Sequence, residues 1–299
     1  MSAPERASDA ARFVDTRQVR RNFSRVAAAY DEAAFLAREV DRRMLERLDY
    51  VRIEPGRVLD LGCATGASLT ALRERYREAQ LIGADFAEPM LRAGRHEKTF
   101  LSRLLPFLKA QSSNFSAADA EALPFRAASF GLIWSNLLLH CLEEPRPALR
   151  EAHRVLETGG LFMFSTFGPD TLRELANAFG DNFAHTQRFT DMHDLGDMLI
   201  ECGFAEPVMD MEVLTLTYAS FDDLVSELHA AGDRCAMQGR RKSLVGRDGW
   251  QKARATYAAL SHDGRIPATF EVIYGHAWKG EPKKVSDGRA IVRFDRRPK

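Results

Sequence analysis

The 299-residue sequence has only four cysteines, Cys63, Cys141, Cys202 and Cys235, widely scattered and with no CxxC pair. That excludes a disulfide-stapled scaffold and the usual zinc spacings, and predicts reduced, mostly buried thiols. No run reaches the roughly eighteen apolar residues that span a bilayer. An excess of one charge is missing too. Lys plus Arg number 42 and Asp plus Glu 42, which argues against a whole-protein nucleic-acid binder while leaving room for a local basic patch. The opening MSAPERASDAARF has no apolar signal core. Its Ala and Arg hint at a mitochondrial presequence, but Glu5, Asp9 and Asp15 interrupt it, so a cytoplasmic protein is expected. What is present is ordinary globular material, 45% hydrophobic and 28% charged residues, enough for a full core and one or two domains.

The chain divides into four stretches. Residues 1–54 read as a helical region. Val19, Phe23, Val26 and Tyr30 recur at i, i+4, i+7 and i+11 as one apolar stripe, with Arg17, Arg21 and Arg25 on another face. A second helix carries Leu36, Val40, Met44 and Leu48, and Pro55-Gly56 closes the region as a turn. Residues 55–168 alternate short apolar runs with helical stretches. Strands are expected at 57–61, 81–84, 114–118, 132–135 and 161–166, and a helix at 147–156 with Thr158-Gly159-Gly160 as its exit. That alternation implies an α/β fold with a parallel, doubly wound sheet. Residues 169–279 continue with a helix at 191–202 capped by Gly203, a strand at 213–218, helices at 221–231 and 249–260, and a last strand at 270–278. Residues 280–299 are polar and basic, a loose tail. The segment Thr99–Ser113 reads as an insertion.

The most informative stretch is Val58–Gly66, VLDLGCATG. A strand carries Asp60 near its end, and Gly62-Cys63-Ala64-Thr65-Gly66 opens a helix. Glycines let the backbone turn sharply and let a ligand lie against it, and the helix N-terminus offers unpaired N–H groups. In a doubly wound sheet this turn lies at the carboxyl edge, where ligands bind. The pattern is neither G-x-G-x-x-G nor the G-K-[ST] of a phosphate loop. Asp85 ends the next strand, where an ionised carboxylate can accept from two ribose hydroxyls. Asp119 follows the third strand, where a carboxylate can accept from the exocyclic amine of adenine. A glycine turn and two such acids, without phosphate apparatus, describe a nucleoside lacking phosphates.

VLDLGCATG, GADFAEPML, DAEALPF, FGLIWSNLLLHCL and LREAHRVLETGGLFMFSTFG resemble, in order, the motifs of class I S-adenosylmethionine-dependent methyltransferases. The resemblance implies a mostly parallel seven-stranded sheet, S-adenosylmethionine as cofactor, an N-terminal helical lid over 1–54, and no metal. It places Asp60 and Gly62, with Cys63 and Gly66 of the same turn, beside the amino-acid part of the cofactor, Asp85 on the ribose, and Phe86 and Met90 flanking the adenine. Asp119 and Ala120 would meet the adenine edge, and Asn136 and Leu137 the methionine portion. Ala64 departs from the family, many of whose members have a third glycine there.

RQVRRNFSRVAAAYDEAA, STFGPDTLRELANAFG, RFTDMHDLGDMLIECGF and LTLTYASFDDLVSELHAAG are similar to the malonyl-[acyl-carrier protein] O-methyltransferases of biotin synthesis, over about 17–278. That resemblance implies methyl transfer to the free carboxyl of a malonyl thioester on acyl carrier protein, or on coenzyme A. A carboxylate with a pKa near 4 is already a nucleophile at neutral pH, so no general base is needed; alignment and exclusion of water suffice. Tyr30 is the candidate that orients the acceptor from the lid. An acidic carrier asks for a basic docking surface, and Arg234, Arg240, Arg241, Lys242 and Arg247 are the candidates, with the Arg17–Arg25 face a second. FGPDTL, HDLGDMLIECGF and PATFEVIYGHAWK also resemble respiratory complex I assembly proteins of the same fold, associated with arginine hydroxylation or assembly without chemistry. A methyltransferase of another small-molecule pathway is a further alternative.

Overall fold

The computed structural model describes residues 13–95 and 114–281. The expected insertion at 99–113 lies outside them, as do the opening residues and nearly all of the expected tail. The strands are β1 (Arg57–Leu61), β2 (Gln80–Asp85), β3 (Asn114–Ala117), β4 (Phe130–Ser135), β5 (Leu156–Phe167), β6 (Ala205–Tyr218) and β7 (Ile266–Trp278). They form one seven-stranded sheet in the order β3-β2-β1-β4-β5-β7-β6. β1 to β5 run parallel, and β7 is antiparallel to both β5 and β6. Strand order reverses beside β1, whose neighbours are β2 and β4, so a crevice opens at their carboxyl ends.

Continuous apolar runs make the central strands: β4 is buried at every position, as a strand covered on both faces must be. β6, at the edge, alternates half-buried and exposed residues along most of its length. One face packs Val40, Met44, Leu48, Leu69, Leu72 and Trp134 with the C-terminal helices. The other packs Leu59, Ile133 and Phe162 against Leu149, Leu195 and Leu199.

The helices are α1 (Thr16–Val26), α2 (Tyr30–Ala33), α3 (Phe35–Leu48), α4 (Ser68–Arg75), α5 (residues 88–95), α6 (Pro145–Val155), α7 (Arg173–Ala178), α8 (Met192–Glu201), α9 (Phe221–Ala230) and α10 (Arg247–Ala258). Gly203 takes φ +97° just past α8, as its position predicts.

Two expectations are corrected. Tyr30 does not continue the helix of Val19, Phe23 and Val26: the chain turns at 27–29 and Tyr30 starts α2, although the Phe23 and Tyr30 rings still meet edge-on at 6.3 Å. Thr158-Gly159-Gly160 is not the exit of α6 but part of β5, which begins at Leu156. The extension follows from pairing with the end of β7, where Gly159 N–H donates to Lys279 O (2.8 Å) and Lys279 N–H to Gly160 O (2.9 Å). The Lys279 ammonium takes over the terminal carbonyls of α6, donating to His153 O at 2.8 Å and Leu156 O at 2.7 Å.

Candidate active site

The turn after β1 is built by its glycines and held by β2. Gly62 and Gly66 have φ of +78° and +83°, where a side chain is strained. Gly62 and Cys63 N–H both donate to Ala84 O, at 2.8 and 3.1 Å. Ala64 also adopts a left-handed conformation, φ +47°, at a cost of about 1–2 kcal/mol; its N–H then donates to Asp85 Oδ2 at 3.0 Å. Ala87 N–H donates to Asp85 Oδ1 at 2.7 Å. Burial raises the Asp85 carboxyl above the ordinary carboxylate range, against the pull of these two backbone donors. α5 seals the turn from behind, where a Cβ on Gly94 would stand 1.9 Å from Thr65 O.

A cavity lies over this turn, roofed by the N-terminal helices. Of the residues expected at a site, Tyr30, Asp60, Gly62, Cys63, Asp85, Phe86, Asn136 and Leu137 line it. Gly66, Met90, Asp119 and Ala120 do not. Met90 is fully buried beneath Phe86 and Tyr30. Ala120 is buried in the core of the other sheet face. Asp119 is exposed, and its Oδ1 accepts from Glu121 N–H at 3.0 Å. Asn136 has partners on both sides: Oδ1 accepts from Ser165 Oγ (2.7 Å) and Nδ2 donates to Ala37 O of α3 (2.9 Å). Burial, with the carboxylates of Asp233, Asp85 and Asp31 nearby, pushes the Tyr30 phenol far up, so it remains a neutral donor.

Sequence reasoning missed several lining residues. Asp31 comes from α2 and Asp41 from α3. Asp31 Oδ1 accepts from Thr65 Oγ1 at 2.6 Å; Asp41 Oδ1 accepts from Ser68 Oγ and Trp134 Nε1, both at 2.8 Å. Burial raises the Asp41 carboxyl despite those bonds. An acid next to Val40, on the stripe that α3 turns inward, was the available signal. Glu227, Asp233 and His140 line the cavity as well. Burial lowers His140 to about 3, so its ring is neutral. Among the described residues the one Lys or Arg on this wall is Arg38, whose guanidinium donates to Asp31 O. A wall of carboxyls with one engaged cation suits a positively charged guest. With the glycine turn and the Phe86 ring, it fits a sulfonium nucleoside and its ammonium group.

A second cavity of about 430 Å³ adjoins the first, and His140, Phe167, Leu228, Asp233 and Phe270 line both. Its walls are mainly apolar, and Arg234, Arg240, Arg241 and Leu244 also line it. The candidate docking cations divide. Arg240 is half-buried and pairs with Asp15 at 3.1 Å; Arg241 pairs with Asp181 at 3.3 Å and lies over the Phe183 ring. Arg234, Lys242 and Arg247 are exposed, as are Arg17, Arg21 and Arg25 on α1.

Comparison with known proteins agrees with this geometry. Residues 59–164 match a methyltransferase domain. The fold is shared with the YcgJ protein of Bacillus subtilis: TM-score 0.55, 18% identity, 80% of this chain and 99% of that one. It is shared too with a SAM-dependent methyltransferase from Thermotoga maritima, with TM-score 0.51, 18% identity, 87% of this chain and 99% of that one. A methyltransferase-type α/β sheet with its crevice beside β1 is thus the class. At closer range the chain is 47% identical to a malonyl-[acyl-carrier protein] O-methyltransferase of Laribacter hongkongensis, over 94% of this chain and 96% of that protein. It is 45% identical to the same-named protein of Gallionella capsiferriformans, over 94% and 96%. The chain belongs to the malonyl-[acyl-carrier protein] O-methyltransferase family.

Proposed function

We propose that the protein transfers the methyl group of S-adenosylmethionine to the free carboxylate of malonyl-acyl-carrier protein, giving the methyl ester that enters biotin synthesis. The observation that carries this is near-full-length identity of 47% to a relative of that name, which reaches well beyond the methyltransferase domain at 59–164. The complex I assembly reading rests only on C-terminal resemblance and is not favoured.

When bound, S-adenosylmethionine supplies an electrophilic methyl group on a sulfonium that leaves as a neutral thioether. Asp85 would hold the ribose, Asp60 and the 62–66 turn the amino-acid end, and Phe86 would lie against the adenine. Thr65 and Ser68 tie the acids Asp31 and Asp41 of the N-terminal helices to the cofactor side, which holds the roof in place over the reaction. The thioester arm occupies the second cavity, and the carrier docks where Arg234, Lys242 and Arg247 are exposed. Among the described residues no helix is long and apolar enough to cross a membrane.

The test is transfer of labelled methyl to carrier protein loaded with malonyl, acetyl or succinyl groups. Label is expected on the malonyl form and none on the acetyl form, which has no free carboxyl. Labelled acetyl carrier, or no label on the malonyl form, would overturn the assignment.

A further inference from the structure

Helix α9 ends in a Schellman motif. Gly232, at φ +83°, donates its N–H to His229 O, and Asp233 N–H reaches back to Leu228 O at 2.9 Å. The position after that glycine commonly holds an apolar residue packed against the last helical turn. Here it holds an acid. Asp233 lies at the junction of the two cavities, lining both beside Leu228, Phe167 and Phe270. Among the described residues its carboxyl has no hydrogen-bond or ion-pair partner, and the negative end of α9 opposes its ionisation. Such a conflict between local packing and residue type marks a functional position.

We infer that Asp233 determines acceptor specificity: as the neutral acid it donates a hydrogen bond to the free carboxylate of the malonyl group where the two cavities meet. This rests on the malonyl reading above. The surroundings leave little else for the task. From α2, Tyr30 stays a neutral phenol; beyond β4, burial keeps the His140 ring neutral and pushes the Cys141 thiol up. Tyr218, at the end of β6, donates to Glu227 Oε1 of α9. Burial and Arg234 lower His229, and Arg234 itself is exposed. Asp85, on β2, adds a further carboxyl. Arg240 and Arg241, which line the second cavity, are engaged by Asp15 and Asp181, and Arg38 of the first by Asp31 O, so at Asp233 an incoming carboxylate meets acids and neutral groups, and it binds best if one acid gives it a proton to share. Burial pushes the Asp233 carboxyl up to about 7, and a second carboxylate beside it raises its proton affinity further. An acetyl group has no carboxylate to accept that bond, and the methyl ester product has lost the charge that shared it.

The sign follows from linkage. Asp233 carries its proton below about pH 7, and above that binding must take one up, so affinity falls by about tenfold for each further pH unit. The experiment is calorimetric titration of the protein, with S-adenosylhomocysteine present, by malonyl-carrier protein in two buffers of different protonation heat. At about pH 8.5 the wild type is expected to take up close to one proton on binding. Asp233→Asn, which keeps a donor but cannot titrate, should take up none and bind with the same affinity across the range. Asp233→Leu should lose at least about tenfold in affinity near pH 6.5, the value of one lost bond to a charged group. The rise in melting temperature on adding S-adenosylhomocysteine reports that each variant is folded. Proton uptake that persists in Asp233→Asn, or wild-type affinity that is flat with pH, would overturn the role of Asp233 while methyl transfer to malonyl carrier stands. Absence of that transfer in the wild type would remove the malonyl reading itself.

Discussion

Each oxygen of Asp85 already accepts one backbone N–H, from Ala64 at 3.0 Å and Ala87 at 2.7 Å. The carboxylate thus shapes the turn and keeps lone pairs for the cavity. Asp85→Ala should weaken S-adenosylmethionine binding by about tenfold or more, since hydrogen bonds to a charged group are worth about 1.5–3 kcal/mol. Calorimetry checks this, and unchanged affinity would mean that the ribose lies elsewhere. Asp60, Gly62 and Asp85 were legible in the sequence because each sits where a strand ends, and strand ends in a doubly wound sheet face the crevice. The same rule does not bring Asp119 to the cavity wall. β3 is a short edge strand, and by two residues beyond it the carboxylate has turned to its own loop, accepting from Glu121 N–H. Asp31 and Asp233 were not legible for the opposite reason. They lie in α2 and just beyond α9, far away in sequence, and only the folded chain brings them to the cavity over the turn.

The N-terminal helix and the residues just before it are clipped to the chain beyond α9: Asp15 N–H donates to Ala236 O (2.7 Å), Gln238 N–H to Phe13 O (2.8 Å) and Asn22 Nδ2 to Arg234 O (3.0 Å). Asp15 also caps the helix, accepting from Gln18 N–H at 3.1 Å, and pairs with Arg240. Asp15→Ala should cost α1 about 1 kcal/mol, a typical N-cap value. Hydrogen exchange should then quicken in residues 16–26 while β1 and β4 keep their protection. Equal loosening of the strands would show that α1 is not a separate cooperative unit. Arg240, expected as a docking cation, is instead part of this clip. A run of basic residues reads the same whether solvated or paired, because its partner lies more than two hundred residues away. Element boundaries were legible where one local signal decides them, as at Gly203. They were not where pairing decides them, as at the start of β5, where the partner is the far end of β7.

At the scale of the molecule, 42 cationic and 42 anionic side chains cancel in number but not in place. Carboxyls gather at the cavity over β1, and exposed arginines gather on α1 and around 234–247. That separation suits a cationic cofactor inside and an acidic carrier outside. The fold class was legible from strand–helix alternation, and the long β6–β7 pair only in part, since the half-exposed start of β6 lacks an apolar run. The most direct measurement is a crystal structure with S-adenosylhomocysteine and malonyl-carrier protein bound. The ribose hydroxyls are expected on Asp85 and the malonyl carboxyl between Tyr30 and Asp233, where the two cavities join. A nucleoside outside the crevice beside β1, or a malonyl carboxyl held at the arginines of the outer mouth, would contradict it.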